Sequence, residues 1–244
     1  MARGSASAST ASSPLIAHLR GRLDGLTSAI LVFPLLLVYQ LGILGGRGQN
    51  GVDFVTRALI RVSQRDLTHY LVLLAGMLVA YAAVVVLLRR TGRFSPEAFV
   101  PMLAESTFYA LVMGSIILYV IHQVERFVPG LAIGDPSALD VVVISAGAGL
   151  HEELIFRVIL MGGLAWLLTG LTGPRRAWVA AIVLSSLVFS LAHHVGPLGE
   201  PFVFAAFIYR TLAGVFFALV YHVRGFAVAA WTHTLYDVYV LSLS

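Results

Sequence analysis

The sequence predicts an all-α, polytopic membrane helix bundle of about seven transmembrane helices, or eight if its fourth apolar region splits, around a polar intramembrane site. Three observations predict it. The 244 residues are 59% apolar and only 11% charged, whereas soluble globular domains carry about 25% charged residues. Apolar runs of about 20 residues, each long enough to span a bilayer, recur from residue 28 to the C-terminus. The few ionisable residues inside the later runs fall into three short clusters rather than being scattered.

Each element follows from local pattern. Residues 1–24 are rich in Ser and Ala and predict a disordered polar tail. The first apolar run, LVFPLLLVYQLGILGG, is too long for a signal-peptide core and has no Ala-x-Ala site behind it, so it reads as a retained helix over 28–44 with Pro34 as a kink. The polar loop 46–66 contains DFVTRALIRVSQ. This pattern suits a short interfacial helix with Phe54, Leu59 and Val62 toward lipid and Arg57, Arg61 and Arg65 toward water. A helix over 67–88 ends at Arg89-Arg90, and another covers 102–121. The loop 122–138 follows, with Glu125, Arg126 and Asp135. The stretch 139–168 exceeds one untilted crossing and is interrupted by SAGAGLHEE, which leaves one long helix or two joined at the glycines. Helices over 176–194, 202–221 and 226–243 complete the chain, with HHVGPLGEP as the turn after the first of them.

Arginine placement sets the topology. All sixteen basic residues are Arg, a composition that suits a GC-rich bacterial genome. The short loops 89–102 and 169–176, and Arg224 between the last two helices, are basic, while 122–138 and 195–201 carry acids and little Arg. The positive-inside rule then places the N-terminus in the cytoplasm of a multi-pass protein, expected in a bacterial inner membrane. The loop 46–66, with four Arg on the outside, breaks the pattern, and an interfacial or re-entrant position would account for it. The net charge of +4 lies in loops and forms no continuous basic face, so nucleic acid is not an expected partner. Without Cys, the chain has no disulfide, thiolate nucleophile or Cys-based metal site. The expected organisation is a tail over 1–24, supporting transmembrane helices over 25–138, and a segment over 139–244 that carries all three clusters.

Ionisable residues inside a bilayer are costly and mark function by default. The first cluster is His151-Glu152-Glu153, with Arg157 four residues beyond Glu153 on the same helix face, so that these two can pair. Glu152 is rotated by about 100° from Glu153 and is left to face a cavity. The second is Phe189-Ser-Leu-Ala-His193-His194. Phe189 shares a face with His193, and His194 lies toward the rim. The third is His233-Thr-Leu-Tyr-Asp237, again i,i+4 in an apolar helix. Glu, His and Asp on three helices suit water activation with oxyanion stabilisation. The same groups suit zinc ligation or proton relay in a carrier. Gly-x-Ser-x-Gly, the phosphate-binding loop pattern and His-Glu-x-x-His are absent, and no local turn singles out Ser185, Ser186 or Ser190 as a nucleophile. Arg210, in FIYRTLAG, could meet a substrate carboxylate, a lipid phosphate or Glu105, or reach out to the membrane surface.

Taken in order, EELIFR at 152–157, FSLAH at 189–193 and HTLYD at 233–237 resemble the CPBP family of intramembrane proteases. That family includes the type II CAAX prenyl endopeptidases and the bacteriocin-related Abi proteins. Its pattern is Glu-Glu-x-x-x-Arg, then Phe-x-x-x-His, then His-x-x-x-Asn/Asp. The resemblance covers about residues 139–240, and residues 1–138 hold no motif of the family. It implies an intramembrane endopeptidase acting on a membrane-associated or lipidated peptide or lipoprotein, with Glu152 and His193 activating water and His233 and Asp237 stabilising the oxyanion. Glu153, Arg157 and Phe189 would support them. Asp237 stands where other members have Asn, so its role in donating to an oxyanion is the least defined. No cofactor is favoured, because Arg157 already accounts for Glu153; zinc, if bound, would use Glu152, His193 and His233. The competing expectations are a catalytically silent immunity or scaffold protein of the same fold, and a proton-coupled transporter.

Overall fold

The computed structural model describes residues 21–50, 52–125, 137–196 and 199–243. The expected tail up to residue 20, and Arg126 and Asp135 of the loop after the fourth helix, lie outside the described residues. Among these residues eight helices follow in chain order: α1 Gly25–Leu44, α2 Phe54–Val62, α3 Leu67–Leu88, α4 Phe99–Glu125, α5 Ala138–Thr172, α6 Pro174–Ala192, α7 Phe204–Arg224 and α8 Phe226–Leu241. The first three open on an aspartate whose carboxylate accepts from the free backbone N–H groups of the first turn. Asp24 takes Leu26 N at 2.9 Å, Asp53 takes Thr56 N at 2.9 Å and Asp66 takes His69 N at 2.8 Å. The cap at Asp24 starts α1 three residues before the apolar run suggests. Pro34 lies inside α1, which continues through it.

The fourth apolar region is one continuous helix. α5 runs for 35 residues, about 52 Å at 1.5 Å per residue, well beyond the ~30 Å hydrocarbon core. It must therefore tilt or project. Its glycines do not break it. Instead Ala148–Glu152 and Leu154–Met161 are π-helical, a wider winding that concentrates at functional sites. The chain turns into α6 at Gly173 (φ 80°) and into α8 at Gly225 (φ 96°), and Pro174 follows at the first position of α6. There its missing N–H costs nothing.

Among the described residues six helices are long and apolar enough to cross a membrane: α1, α3, α4 with the short turn before it, α5, α6 and α7. The seventh expected crossing is α8. It has 16 residues, about 24 Å, and it forms the centre of the bundle against α1, α4, α5 and α7. Its run Ala227-Val228-Ala229-Ala230 is fully buried, since small side chains let helix backbones approach closely in a bilayer. Trp231 Nε1 donates to the Leu31 carbonyl at 2.8 Å, and Ser106 Oγ donates to the Val228 carbonyl at 3.3 Å, fixing α8 against α1 and α4. Gly149 of α5 lies directly on Ala230 and Thr234 of α8, and Gly147 lies on the ring of Tyr39 of α1. In contrast, α3 exposes nearly all of its apolar surface and faces lipid.

Of the alternatives open for Arg210, pairing with Glu105 is not the one formed. Glu105 of α4 is bound by Arg224 at the end of α7, with Nε–Oε1 at 2.6 Å and Nη2–Oε2 at 3.0 Å. Arg210 instead pairs with Glu200 of the turn after α6, at 3.0 Å. Arg224 stands at a helix C-terminus, where a cation is favoured; Arg210 lies about four turns earlier in the same helix.

Candidate active site

The three clusters come together around the π-helical part of α5. Glu152, Glu153 and Arg157 are fully buried there. Neighbouring glutamates on one helix point to different partners, as their rotation requires. Glu152 Oε2 stands 3.5 Å from His193 Nε2 at the end of α6. Glu153 Oε1 accepts from His233 Nδ1 of α8 at 2.8 Å, and its Oε2 stands 3.1 Å from Arg157 Nε. That last contact is an ion pair at distance, without the angle of a hydrogen bond. The pairing of Glu153 with Arg157 thus occurs as expected from sequence, but it is half of a longer chain that continues to His233.

The histidines are oriented by what their Nδ1 atoms touch. His193 caps α6, and its Nδ1 donates to the Phe189 carbonyl at 2.8 Å. His233 Nδ1 donates to a carboxylate. An oxygen acceptor at Nδ1 puts a hydrogen there and leaves Nε2 of each ring for the cavity. His233 Nε2 faces Asp237 Oδ2 at 3.6 Å. Phe217 of α7 stacks flat on His233 with ring centroids 4.2 Å apart. Phe189 packs edge-on to Phe156 and against His193, and the Arg157 guanidinium lies over its ring at 4.7 Å. That contact offsets part of the cost of the buried cation. The side chains of His193 and Asp237 keep 18% and 20% of their surface, so the constellation opens at these two residues and is closed at the glutamates.

Sequence reasoning missed Asn50, Asp53 and Tyr39. The loop after α1 folds into the bundle, and Asn50 Nδ2 donates to Glu152 Oε1 at 2.9 Å. Asn50 is itself held, because its N–H donates to Tyr39 Oη at 3.2 Å and its Oδ1 accepts from Val52 N at 2.8 Å. The outlying arginines of loop 46–66 were the available signal that this loop is not a plain external one. His151 belongs to the same support. Its Nδ1 donates to the Gly147 carbonyl at 3.0 Å, and its Nε2 stands 3.7 Å from Asp53 Oδ1, away from His193 and His233. His194 turns outward to the Glu200 carbonyl. Ser185 and Ser186 donate to the Ile182 carbonyl and Ser190 to the Phe207 carbonyl, so all three act as helix-packing hydroxyls.

Among the described residues no group of three His, Cys, Asp or Glu is disposed to hold a metal ion. Of the three ligands considered for zinc, Glu152 and His193 face each other, while His233 is directed to Glu153 and Asp237.

A multi-pass helical bundle that encloses paired carboxylates and imidazoles within its apolar interior holds the groups a membrane-embedded hydrolase needs. Residues 135–239 match the family model described as Type II CAAX prenyl endopeptidase Rce1-like, a match that supports an intramembrane-protease type of function for that stretch. No curated protein and no solved structure gives a significant match to the chain.

Proposed function

We propose that the chain is a glutamate-dependent intramembrane endopeptidase that hydrolyses a peptide bond of a membrane-associated or lipidated peptide or lipoprotein. The observation that carries this reading is the placement of Glu152: one oxygen held by Asn50, the other 3.5 Å from His193 Nε2. A gap of 3.5 Å between a carboxylate and an imidazole suits a water bonded to both better than a direct contact. In the proposed reaction that water oxygen attacks the scissile carbonyl carbon while Glu152 Oε2 takes its proton. The tetrahedral oxyanion accepts a hydrogen bond from His233 Nε2–H, with His233 doubly protonated between Glu153 and Asp237. Collapse breaks the C–N bond, and the leaving amine takes the proton held by Glu152, directly or through His193. Asp237 orients His233 and, when protonated, donates to the oxyanion itself. Glu153, Arg157 and Phe189 hold the two histidines in place.

In this reading residues 139–244 form the catalytic segment, and helices of 25–138 support it. The protein sits in a bacterial inner membrane with its N-terminus in the cytoplasm, as the Arg-rich short loops argue. A substrate enters from the membrane side, where His193 and Asp237 are open. The test is cleavage of a mixed peptide library by the purified protein in detergent, with wild type compared with Glu152→Gln and His193→Ala, each with and without a strong zinc chelator. Cleavage that is lost in both variants and survives chelation is the expected result. Loss under chelator with recovery on adding zinc would replace the metal-free mechanism, and a folded wild type that cleaves nothing overturns the enzyme reading.

A further inference from the structure

The stretch between α1 and α3 carries the four arginines that run against the topology set by the other loops. Three of them converge in space. Arg57, Arg61 and Arg65 line a groove of about 470 Å³ together with Gln49, Ile60 and Gln64. Arg57 and Arg61 are four apart on α2 and share a face. Arg65 reaches the groove from the turn after α2, where Gln64 and Arg65 both take positive φ, 55° and 63°. Neither residue type favours that region, so the surrounding structure must hold the turn in presenting these two side chains.

Among the described residues no carboxylate lines the groove. Asp53 caps α2 and faces His151, and Asp66 caps α3 beside His69 at 3.4 Å. Arg61 and Arg65 bring like charges to one groove, and an anion seated between them would offset their repulsion. The surroundings say which anion. Phe54, Val55 and Val62 of α2 are exposed, and the lipid-facing α3 begins immediately after the turn. The groove therefore lies where acyl chains give way to water, the level at which lipid phosphates sit.

We propose that this groove binds the phosphate of an anionic phospholipid, with Arg57, Arg61 and Arg65 around the phosphodiester and the amides of Gln49 and Gln64 as further donors. Guanidinium forks match phosphate oxygens in geometry as well as charge. The site adjoins the candidate active site without sharing its residues. Asn50 directly follows Gln49, and the Arg57 guanidinium approaches Gly196 in the turn beyond His193. A lipid seated here braces the loop that places Asn50 against Glu152.

The test reads binding and does not depend on peptidase activity. The purified full chain in neutral detergent is titrated with short-chain phosphatidylglycerol, with phosphatidylcholine and with inorganic phosphate, and thermal unfolding is followed. A saturable rise in unfolding temperature is expected with phosphatidylglycerol and not with phosphatidylcholine. The Arg61→Gln/Arg65→Gln double variant should raise the half-saturating concentration at least about ten-fold, or 1.4 kcal/mol. Arg89→Gln/Arg90→Gln, which removes the same charge from another loop, should leave it unchanged. An equal response of wild type and the Arg61/Arg65 variant overturns the site, and the same shift with inorganic phosphate alone overturns the lipid as its source. Should the double variant fail to fold, native mass spectrometry of wild type and single Arg61→Gln decides instead: reduced retention of anionic lipid in the variant supports the site, and equal retention overturns it.

Discussion

Replacing Gly149 by Ala tests how closely α5 and α8 must approach. A Cβ at this position would lie 2.9 Å from the Thr234 backbone nitrogen and nearer still to Thr234 Oγ1 and the Ala230 carbonyl oxygen. Two of these three atoms are backbone, so a side-chain rotation cannot relieve the clash. To restore ordinary contact at about 3.5 Å, the helices must separate by about 1 Å. The Glu153–His233 hydrogen bond, 2.8 Å now, would stretch to about 3.8 Å, beyond hydrogen-bond range. Overpacking costs about 1–3 kcal/mol and a lost hydrogen bond to a charged group about 1.5–3 kcal/mol, so a destabilisation of about 3–5 kcal/mol is expected. Cleavage should fall by about 10², the usual cost of a 1 Å misplacement of reacting groups. Gly163→Ala, on the same helix with open space around it, is the control and should gain up to about 1 kcal/mol from helix propensity. Thermal unfolding in detergent and a cleavage assay read both quantities. If Gly149→Ala unfolds with wild type and cleaves at the wild-type rate, the close approach of the two helices does not hold His233 in place, and the argument fails.

Other substitutions separate the roles of the remaining groups. Asn50→Ala removes the hydrogen bond to Glu152 Oε1 and should lower kcat by about 10–100-fold with little change in unfolding temperature; unchanged kinetics would remove Asn50 from the site. Arg157→Ala leaves the Glu153 carboxylate buried without its cation, so a stability loss of about 3–5 kcal/mol, read by unfolding, should accompany the loss of cleavage. Arg224→Ala breaks the pair with Glu105, which is also buried, and should cost a similar amount, but the folded fraction should keep wild-type kcat; a selective kcat defect would link α4 to the chemistry. Asp237→Asn installs an amide that can donate to an oxyanion without being protonated and should cleave at least as well as wild type, whereas Asp237→Ala should lose about 10-fold or more, as removal of an oxyanion donor does.

The fold was legible because a bilayer demands little of a sequence beyond length and apolarity. The bounds of α3 read from sequence coincide with the structure, and the CAAX-protease resemblance read over 139–240 agrees with the family match over 135–239. What the sequence hid depends on winding and on distant contacts. The π-helical winding of α5 leaves no mark in hydropathy, so one long helix and two joined helices looked alike. Glu153 and Arg157 are local in sequence, and their pairing could be reasoned. The bond from Glu153 to His233 spans 80 positions, and that from Asn50 to Glu152 spans 102. Neither has a periodicity to announce it. The partner of Glu105 was missed for the same reason: Arg224, 119 positions away, looked like a topology signal in a loop.

The buried charges have a logic that no single pair explains. An isolated carboxylate or guanidinium in this apolar interior would cost several kcal/mol, and Arg157, Glu153, His233 and Asp237 avoid that cost by forming one alternating line. Arg157 neutralises Glu153, Glu153 takes the Nδ1 hydrogen of His233, and His233 faces Asp237. Removing any inner member strands its neighbours, so the line fixes the relative rotation of α5 and α8 as firmly as packing does. Glu152 stands outside it, tied instead to the α1–α2 loop through Asn50 and facing the C-cap of α6. Two adjacent residues on one helix thus belong to different networks: Glu153 to the rigid line, and Glu152 to the side where the constellation opens at His193 and Asp237. In the proposed reaction that division suits a base, because a carboxylate left out of the permanent pairings has an oxygen available for a transferable proton.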